Sequence, residues 1–327
     1  MSFARRGLLA LALTVLGLHA PAHAQGYPSK PVTIIVSLAA GTGMDTLVRL
    51  YGEKLSQSLG QPVVIDNRPG SAGVIAGEAI AKGPPDGYTL AVATSAVMAI
   101  RPTLFKTRPF DPLTDFVPIA LYVKSPFVFI VNPAIPVHTV PEFVKYAKDR
   151  PGKLSYSSSG NGGAPHLTME GLKQKFGFDI AHVPYRNSPQ SIADVAAGHV
   201  NAAIAEAGAS LPLIKDGKLR AIAVTSLTRF ASLPDVPPLA EAVGVPEWEA
   251  VSWHVLFARS GTPREILNKL HGEMTRIMAA PDMRRKIMNI GLIPYSTPSI
   301  EGIQAYIKSE TEKWGALVRQ LGLQGSQ

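Results

Sequence analysis

The 327-residue chain contains no cysteine, which excludes disulfides, thiol catalysis and a lipid-modified cysteine. It also has few charged residues, because only 17% are Asp, Glu, Lys or Arg whereas 46% are hydrophobic. No apolar run approaches the roughly 20 residues that a membrane-spanning helix needs. This composition is typical of a soluble, compact globule and not of a disordered chain.

Motifs for several activities are missing as well. The 32 Lys and Arg residues exceed the 24 Asp and Glu residues but are scattered, and no basic patch is interleaved with aromatic residues, so we expect no nucleic-acid partner. No two His, Asp or Glu residues have a zinc-ligand spacing, and no G-x-S-x-G elbow occurs. We therefore expect neither a metal nor a cofactor, and we do not expect an enzyme.

The N-terminus has the pattern of a signal peptide. Arg5 and Arg6 precede an apolar run over residues 8–18, and Ala22-His23-Ala24 is a small-residue cleavage site. We expect cleavage after Ala24 and export to the periplasm, by either the general or the twin-arginine route. Removal of 24 of the 327 residues leaves 303, which is enough for two domains of about 150 residues each.

Residues 32–59 are the stretch that best indicates a binding site. A β-branched run over 32–36 predicts a buried strand, a small-residue loop follows, and apolar residues at steps of three and four predict a helix that ends at Leu59. A helix N-terminus behind a small-residue loop favours an anion. The spacing of the glycines fits neither the dinucleotide motif nor the P-loop. The candidate ligand-binding residues here are Ala40, Gly41, Thr42 and Gly43, and Asp45 is expected to stabilise the helix start.

Strands that alternate with helices predict a parallel sheet, in which ligands bind beyond the carboxyl ends of the strands. A buried strand over residues 88–93 ends at Thr94 and Ser95, which should share an edge with the first loop. Two further strands are predicted over 116–122 and 127–131. Thr94 and Ser95 therefore join the candidate ligand-binding residues.

The second half of the chain repeats this arrangement. A strand over 154–158 leads into a Ser, Gly and Asn loop and then a helix from about His166 to Phe176; a later helix is predicted to begin at Pro189 with Ser188 as its cap. One such loop in each half indicates a ligand held between two domains. The candidates here are Ser159, Asn161, Gly162, His166, Tyr185, Arg186 and Glu206. His166 is expected to donate to a nearby carbonyl, and His182 to be a satisfied core or rim residue.

Seven ordered motifs resemble one known family over essentially the whole mature chain. They are Tyr27-Pro28-Ser29-Lys30-Pro31, Asp66-Asn67-Arg68-Pro69-Gly70, Pro85-Asp86-Gly87-Tyr88-Thr89, Ser159-Gly160-Asn161-Gly162 with His166-Leu167, His182-Val183-Pro184-Tyr185, Gly217-Lys218-Leu219-Arg220-Ala221 and Leu233-Pro234-Asp235-Val236-Pro237. The sequence is similar to the extracytoplasmic solute-binding proteins of tripartite tricarboxylate transporters, the Bug family.

The resemblance implies an α/β fold of two domains with class II connectivity (a Venus flytrap), each a mostly parallel sheet flanked by helices. Residues 25–125 plus 251–327 would form domain 1 and residues 126–250 domain 2, with crossings near 124–127 and 249–253. It also implies a small organic acid, held by backbone N–H groups and hydroxyls, and delivery to the membrane permease subunits of a tripartite transporter. We expect a monomer.

The first loop departs from the family pattern, which is Pro-Phe-x-Pro-Gly-Gly followed by Ser or Thr and then Asp. Here the run is Ser37-Leu38-Ala39-Ala40-Gly41-Thr42-Gly43-Met44-Asp45, so that Thr42 would supply the displaced hydroxyl. Met44 makes this corner more apolar, and an aromatic or longer aliphatic acid becomes as good a candidate as citrate. Glu206 stands where the family more often has Asp.

Two alternatives to transport stay open at this point. The closed form of the protein would serve equally well as a ligand sensor that binds a signalling receptor. A periplasmic serine hydrolase would need Ser158 or Ser159 paired with His166, an arrangement that the sequence permits but that has no supporting motif.

Overall fold

The computed structural model describes residues 26–38, 40–69 and 73–327. The predicted signal peptide lies outside these residues, as do Ala39 and residues 70–72, which include the last residue of the second motif. Within the described ranges the chain forms ten β-strands, eleven α-helices and one π-helix.

The strands are β1 (Val32–Val36), β2 (Val63–Asn67), β3 (Thr89–Thr94), β4 (Phe116–Val131), β5 (Ser155–Ser158), β6 (Ala181–Pro184), β7 (Ala202–Glu206), β8 (Arg220–Val224), β9 (Val251–Arg259) and β10 (Ile293–Pro294). The α-helices are α1 (Gly43–Leu59), α2 (Val74–Ala81), α3 (Arg101–Leu104), α4 (Val140–Lys148), α5 (Ala164–Phe176), α6 (Ser188–Ala197), α7 (Ala207–Lys215), α8 (Leu239–Val243), α9 (Arg264–Ala279), α10 (Pro281–Asn289) and α11 (Ile300–Gln320). The π-helix (Ala96–Ile100) joins β3 to α3.

The strands follow the order β2-β1-β3-β9-β4-β7-β5-β6, and β8 and β10 also pair with β4. The outer strands are parallel to their neighbours: β1 to β2 and β3, and β5 to β6 and β7. The central strands β4 and β9 run antiparallel to theirs. The predicted α/β class is therefore confirmed, and each half of the sheet has a parallel part whose strands end at one edge.

The long strand β4 corrects one prediction. Two separate strands were expected, but a single 16-residue strand runs from Phe116 to Val131. It pairs with β9 as far as Pro126, and from Phe127 onward it pairs with β7 and β8. Proline has no N–H to donate to a ladder, and Pro126 stands where β4 changes partner. Pro126, which in the sequence indicates the end of a strand, therefore lies inside β4.

The hydrophobic core covers both faces of the first-half sheet. On one face, Val32, Ile34 and Val36 of β1 pack with Leu47 and Tyr51 of α1, and all five are fully buried. Burial of each such side chain contributes about 1.5–3 kcal/mol. Another cluster is continuous from the first half into the second and includes Ile35, Trp253, Phe129 and Leu167. The two halves therefore share apolar contacts.

Helix starts agree with the capping rules, with one correction. At the start of α4, the cap residue Thr139 accepts from Glu142 N through Oγ1 at 3.2 Å, and Glu142 Oε2 accepts from His138 N, one residue before the cap, at 2.7 Å. The cap of α6 is Asn187, whose Oδ1 accepts from Gln190 N at 3.0 Å, and not Ser188. Both residue types are good caps, so sequence preference alone does not separate them.

No helix among the described residues combines the length and the apolar character needed to cross a bilayer.

Candidate functional site

The first loop connects β1 to α1. Thr42 is the cap of α1, and its Oγ1 accepts from Asp45 N at 3.3 Å. Gly41 has a φ of 82°, in the left-handed region that favours glycine, and its N–H donates to Asp45 Oδ2 at 2.8 Å. The Gly41 N–H is therefore already bonded within the protein. The N–H groups of Gly43 and Met44, at the start of the helix, have no intrahelical acceptor.

A network of three polar side chains fixes this loop. Asn67 Nδ2, at the end of β2, donates to Leu38 O and to Asp45 Oδ1, both at 3.0 Å. Arg49 Nε donates to Asp45 Oδ2 at 3.1 Å, and its terminal nitrogen donates to Asn67 Oδ1 at 2.9 Å. Burial alone would raise the pKa of Asp45, but the hydrogen bonds from Arg49, Gly41 and Asn67 hold this pKa below its ordinary value. Asp45 is thus a buried, ionised anchor of the loop.

Asn67 was not among the residues selected from the sequence. Its position offered a signal, because it ends a strand of the parallel sheet inside the Asp66-Asn67-Arg68 motif. A polar residue there reaches the same sheet edge as the first loop.

Thr94 and Ser95 lie at the carboxyl end of β3, next to β1, so they share an edge with the first loop. Thr94 is directly opposite His254 of β9. Ser95 is 1% exposed, and its hydroxyl donates to Ser252 Oγ at 3.2 Å. The Ser95 hydroxyl is accordingly held against β9.

The second loop connects β5 to α5. Two of its glycines, Gly160 and Gly162, have φ angles of 127° and 72°. The Gly162 N–H donates to His166 Nδ1 at 3.0 Å, so His166 accepts a hydrogen bond from the loop and does not donate to a carbonyl as predicted. A Cβ atom added to Gly162 would lie 2.0 Å from Leu104 Cδ2. The second loop therefore packs against α3, which follows the β3 edge of the first half.

Behind this loop, three aromatic rings form a stack. His182 lies between Tyr156, at 4.7 Å between centroids, and His166, at 4.2 Å. His182 Nε2 is 2.8 Å from Ser158 Oγ. Burial and the neighbouring His166 ring lower the pKa of His182 to about 4. The rings of His166 and His182 are thus packed and hydrogen-bonded behind the second loop, as expected for His182.

The stack also bears on one of the two pairings of the hydrolase alternative, that of Ser158 with His166. Ser158 Oγ contacts His182, not His166, and it is also 3.0 Å from Gly160 O. In addition, His166 Nδ1 already accepts a hydrogen bond from the Gly162 N–H. A general base would need this acceptor nitrogen to take the proton of a serine hydroxyl. The pairing of Ser158 with His166 is therefore not formed.

Tyr185 and Arg186 follow β6 at the same edge. Tyr185 donates its hydroxyl to Asp194 Oδ2 at 2.5 Å, and burial and this carboxylate raise the pKa of Tyr185 to about 12. The hydroxyl is therefore engaged by α6. Arg186 is exposed and forms no ion pair with any residue in the described ranges.

Glu206 ends β7 directly opposite Phe127, at the point where β4 changes partner. Its side chain is in contact with solvent, yet surrounding protein raises the pKa of its carboxyl through desolvation. Glu206 is thus an exposed carboxyl at the strand edge that carries the second loop.

Two buried polar groups at the first-half edge were also missed. Ser37 Oγ and His254 Nδ1 have no hydrogen-bond partner among the described residues, and their residues are 4% and 6% exposed. Burial lowers the pKa of His254 to about 4, so its ring is neutral near pH 7. Neither residue belongs to a sequence pattern that separates it from its apolar neighbours.

Two α/β halves joined by shared strands, each ending in a glycine-bearing loop before a helix, define the fold of a two-domain solute-binding protein. Comparison with known proteins agrees. The sequence profile of the tripartite tricarboxylate transporter family receptor matches residues 47–323. The chain belongs to this family, whose members are solute-binding proteins and not enzymes.

Relatives align over nearly their full lengths. A UPF0065 protein from the tcbD–tcbE intergenic region of Pseudomonas sp. (strain P51) is 34% identical over 98% of this chain and 94% of its own. A solved structure of Rpa4515 from R. palustris with adipate is 35% identical, with a TM-score of 0.82 over 90% of this chain and 98% of the other. The periplasmic binding protein BugD is 29% identical, with a TM-score of 0.79 over 91% and 99%. MatC of Rhodopseudomonas palustris with bound malate is 26% identical, with a TM-score of 0.77 over 89% and 100%.

Proposed function

We propose that this protein captures a small organic acid between its two loops and delivers it to the permease subunits of a tripartite tricarboxylate transporter. The observation that carries this proposal is the pair of loops, residues 40–43 and 159–162, each between a strand end and a helix start. Adipate and malate in the related solved structures support a carboxylate as the ligand.

The carboxylate would bind at the start of α1. Backbone N–H groups of Gly43 and Met44 point out of the helix start, and the 17-residue helix places the positive end of its dipole there. The Asp45 network holds the loop in this conformation before ligand arrives, which lowers the ordering cost of binding. Thr94 would contribute a hydroxyl from the adjacent strand end.

The second loop would cover the acid from the other side. Ser159 and Asn161 are the polar side chains of this loop, and Gly162 keeps its backbone close to Leu104. Arg186 lies at the neighbouring strand end, where its charge would attract a second carboxylate. The hydrogen-bonded His166 would keep the loop in place.

Closure would be a rotation of two domains about the shared strands. We propose domain 1 as residues 25–125 plus 251–327 and domain 2 as residues 126–250, because β4 changes partner after Pro126 and β9 begins at Val251. A ligand that touches both loops binds the closed form more tightly and so shifts the equilibrium toward it. Such closure would present a ligand-dependent surface to the permease. We place this delivery in the periplasm.

A thermal-shift screen of residues 25–327 tests the proposal. The panel contains di- and tricarboxylates, aliphatic and aromatic monocarboxylates, and amino acids, with sulfate and chloride as anion controls. At 100 times its Kd, a bound acid adds about 2.7 kcal/mol to the free energy of unfolding. We expect one class of acid to raise the melting temperature in a saturable manner.

A matched pair of variants locates the effect. Thr94→Val should weaken the response to that acid, whereas Thr114→Val, at an exposed position before β4 and at the opposite edge of the sheet, should leave it unchanged. Absence of a response to every acid, in protein that melts cooperatively, would contradict the proposal.

A further inference from the structure

An acidic residue lies at the sheet edge where we propose that an acid binds. Glu206 lies at the end of β7, and the carboxyl ends of β5, β6 and β7 form one edge with the second loop. A second anion close to an anionic ligand is unfavourable by simple repulsion. The position therefore needs a physical explanation.

The contacts of Glu206 do not supply that explanation. It precedes α7 as the cap residue, but its side chain makes no capping hydrogen bond. Its backbone carbonyl accepts from Ser210 Oγ at 2.9 Å, so only the main chain is used to start the helix. Within the part of the chain that the structure describes, its carboxylate has no ion pair, and Arg186, which follows β6 on the far side of β5, does not pair with it.

Domain closure would increase the desolvation cost of the Glu206 carboxylate. The Glu206 carboxylate retains contact with water in the present structure, although the protein around it already raises its pKa. Closure over a ligand removes water from such a group, and a buried carboxylate without a hydrogen-bond donor is strongly unfavourable. No described residue donates a hydrogen bond to this carboxylate in the present structure, so we assign the donor to the ligand.

We propose that Glu206 accepts a hydrogen bond from a hydroxyl or ammonium group of the bound acid, so that the protein selects hydroxy or amino acids over unsubstituted acids of the same skeleton. The proposal rests on the proposed function and names the substrate class of the same site. The acid's carboxylate sits at the start of α1, and its substituent reaches the opposite side of the cleft at the end of β7.

Calorimetric titration of the mature protein with matched acids tests this proposal. Three skeletons are used: succinate, malate and aspartate; adipate and 2-aminoadipate; phenylacetate, mandelate and phenylglycine. Within the skeleton that binds, we expect a substituted acid to bind at least about tenfold more tightly than the unsubstituted one, since hydrogen bonds to charged groups contribute about 1.5–3 kcal/mol.

The variant Glu206→Gln keeps the shape of the side chain and removes its charge. We expect the preference to fall to within about threefold, because the substituted acid loses affinity while the unsubstituted acid keeps or gains it. Equal binding of substituted and unsubstituted acids by the native protein, or an unchanged preference in Glu206→Gln, would overturn the inference and leave the proposed function standing. Absence of binding by all three skeletons would overturn the inference, whereas the proposed function falls only if no acid of the thermal-shift panel binds.

Discussion

The side-chain amide of Asn67 donates to the carboxylate of Asp45 at 3.0 Å, and this bond ties the end of β2 to the first turn of α1. The two residues are 22 positions apart in the sequence. Their contact means that the binding loop is held from two sides, by its own helix and by the neighbouring strand.

Loss of Asn67 should loosen the loop. Asn67→Ala removes the donors to Asp45 and to Leu38 O and should lower the free energy of unfolding by about 1–2 kcal/mol, with weaker acid binding as well. Urea denaturation and calorimetry measure the two effects. Arg68→Ala, which removes only an exposed ion pair with Asp66, is the control and should cost less than about 0.5 kcal/mol. Equal effects of the two substitutions would contradict the role of Asn67.

Gly162 should be intolerant of a side chain for two separable reasons. Its φ of 72° strains any other residue, and a Cβ would lie 2.0 Å from Leu104 Cδ2. Gly152, with a φ of 67°, has no atom within 4 Å of its Cβ position and so isolates the first effect. The αL strain costs about 1–2 kcal/mol at either position.

We therefore expect Gly162→Ala to be more destabilising than Gly152→Ala, by about 1–3 kcal/mol for the added crowding, and to weaken acid binding. Denaturation curves for the two variants give this difference directly. A difference near zero would mean that the second loop does not rest on α3.

Glu310 should be a major contributor to stability near the shared strands. It is 5% exposed, and its Oε2 accepts from Trp253 Nε1 at 3.1 Å and from Trp314 Nε1 at 3.2 Å, while Lys313 pairs with Oε1. Glu310→Ala leaves two buried indole N–H groups without an acceptor and should cost about 2–4 kcal/mol. Glu312→Ala, at an exposed position on the same helix, should be nearly neutral. A small effect of Glu310→Ala in denaturation experiments would show that water replaces the carboxylate.

Stability should decline in mild acid because of buried histidines. The folded-state pKa values of His182 and His254 are about 4, below the ordinary value of 6.5. Between pH 6.5 and pH 4 the unfolded chain therefore binds protons that the folded chain does not, and stability falls as the pH falls through this range.

For His254, which is 6% exposed, the full effect is at most about 3 kcal/mol. His254→Gln removes the titrating group and should flatten the dependence of unfolding free energy on pH between 6.5 and 4, measured by urea denaturation at several pH values. An identical slope in the variant and the native protein would refute the assignment.

The first βα unit was predictable from local pattern. The β-branched run of β1 and the apolar steps from Met44 to Leu59 reflect the burial of one strand and one helix face, which depends on nearby residues only. The shared edge of Thr94 with this loop followed from the parallel arrangement of the strands.

The features that the sequence did not predict depend on contacts between residues that are distant in the chain. Whether β4 continues past Pro126 depends on partners from β7, β8 and β9, which lie 70 or more positions later in the chain. Ser158 contacts His182 because β5 and β6 are neighbouring strands, with His182 opposite Tyr156, two residues before Ser158. Local sequence offered His166 equally well. Ser37 Oγ and His254 Nδ1 lack a hydrogen-bond partner among the described residues because of how the first half of the sheet packs, which local sequence does not show.

A crystal structure of the mature protein with the acid that most raises its melting temperature is the most direct measurement. We predict that one carboxylate of that acid lies within hydrogen-bond distance of the backbone N–H groups of Gly43 and Met44, and that the loop of residues 159–162 covers it. An acid bound anywhere other than between these two loops would contradict the account.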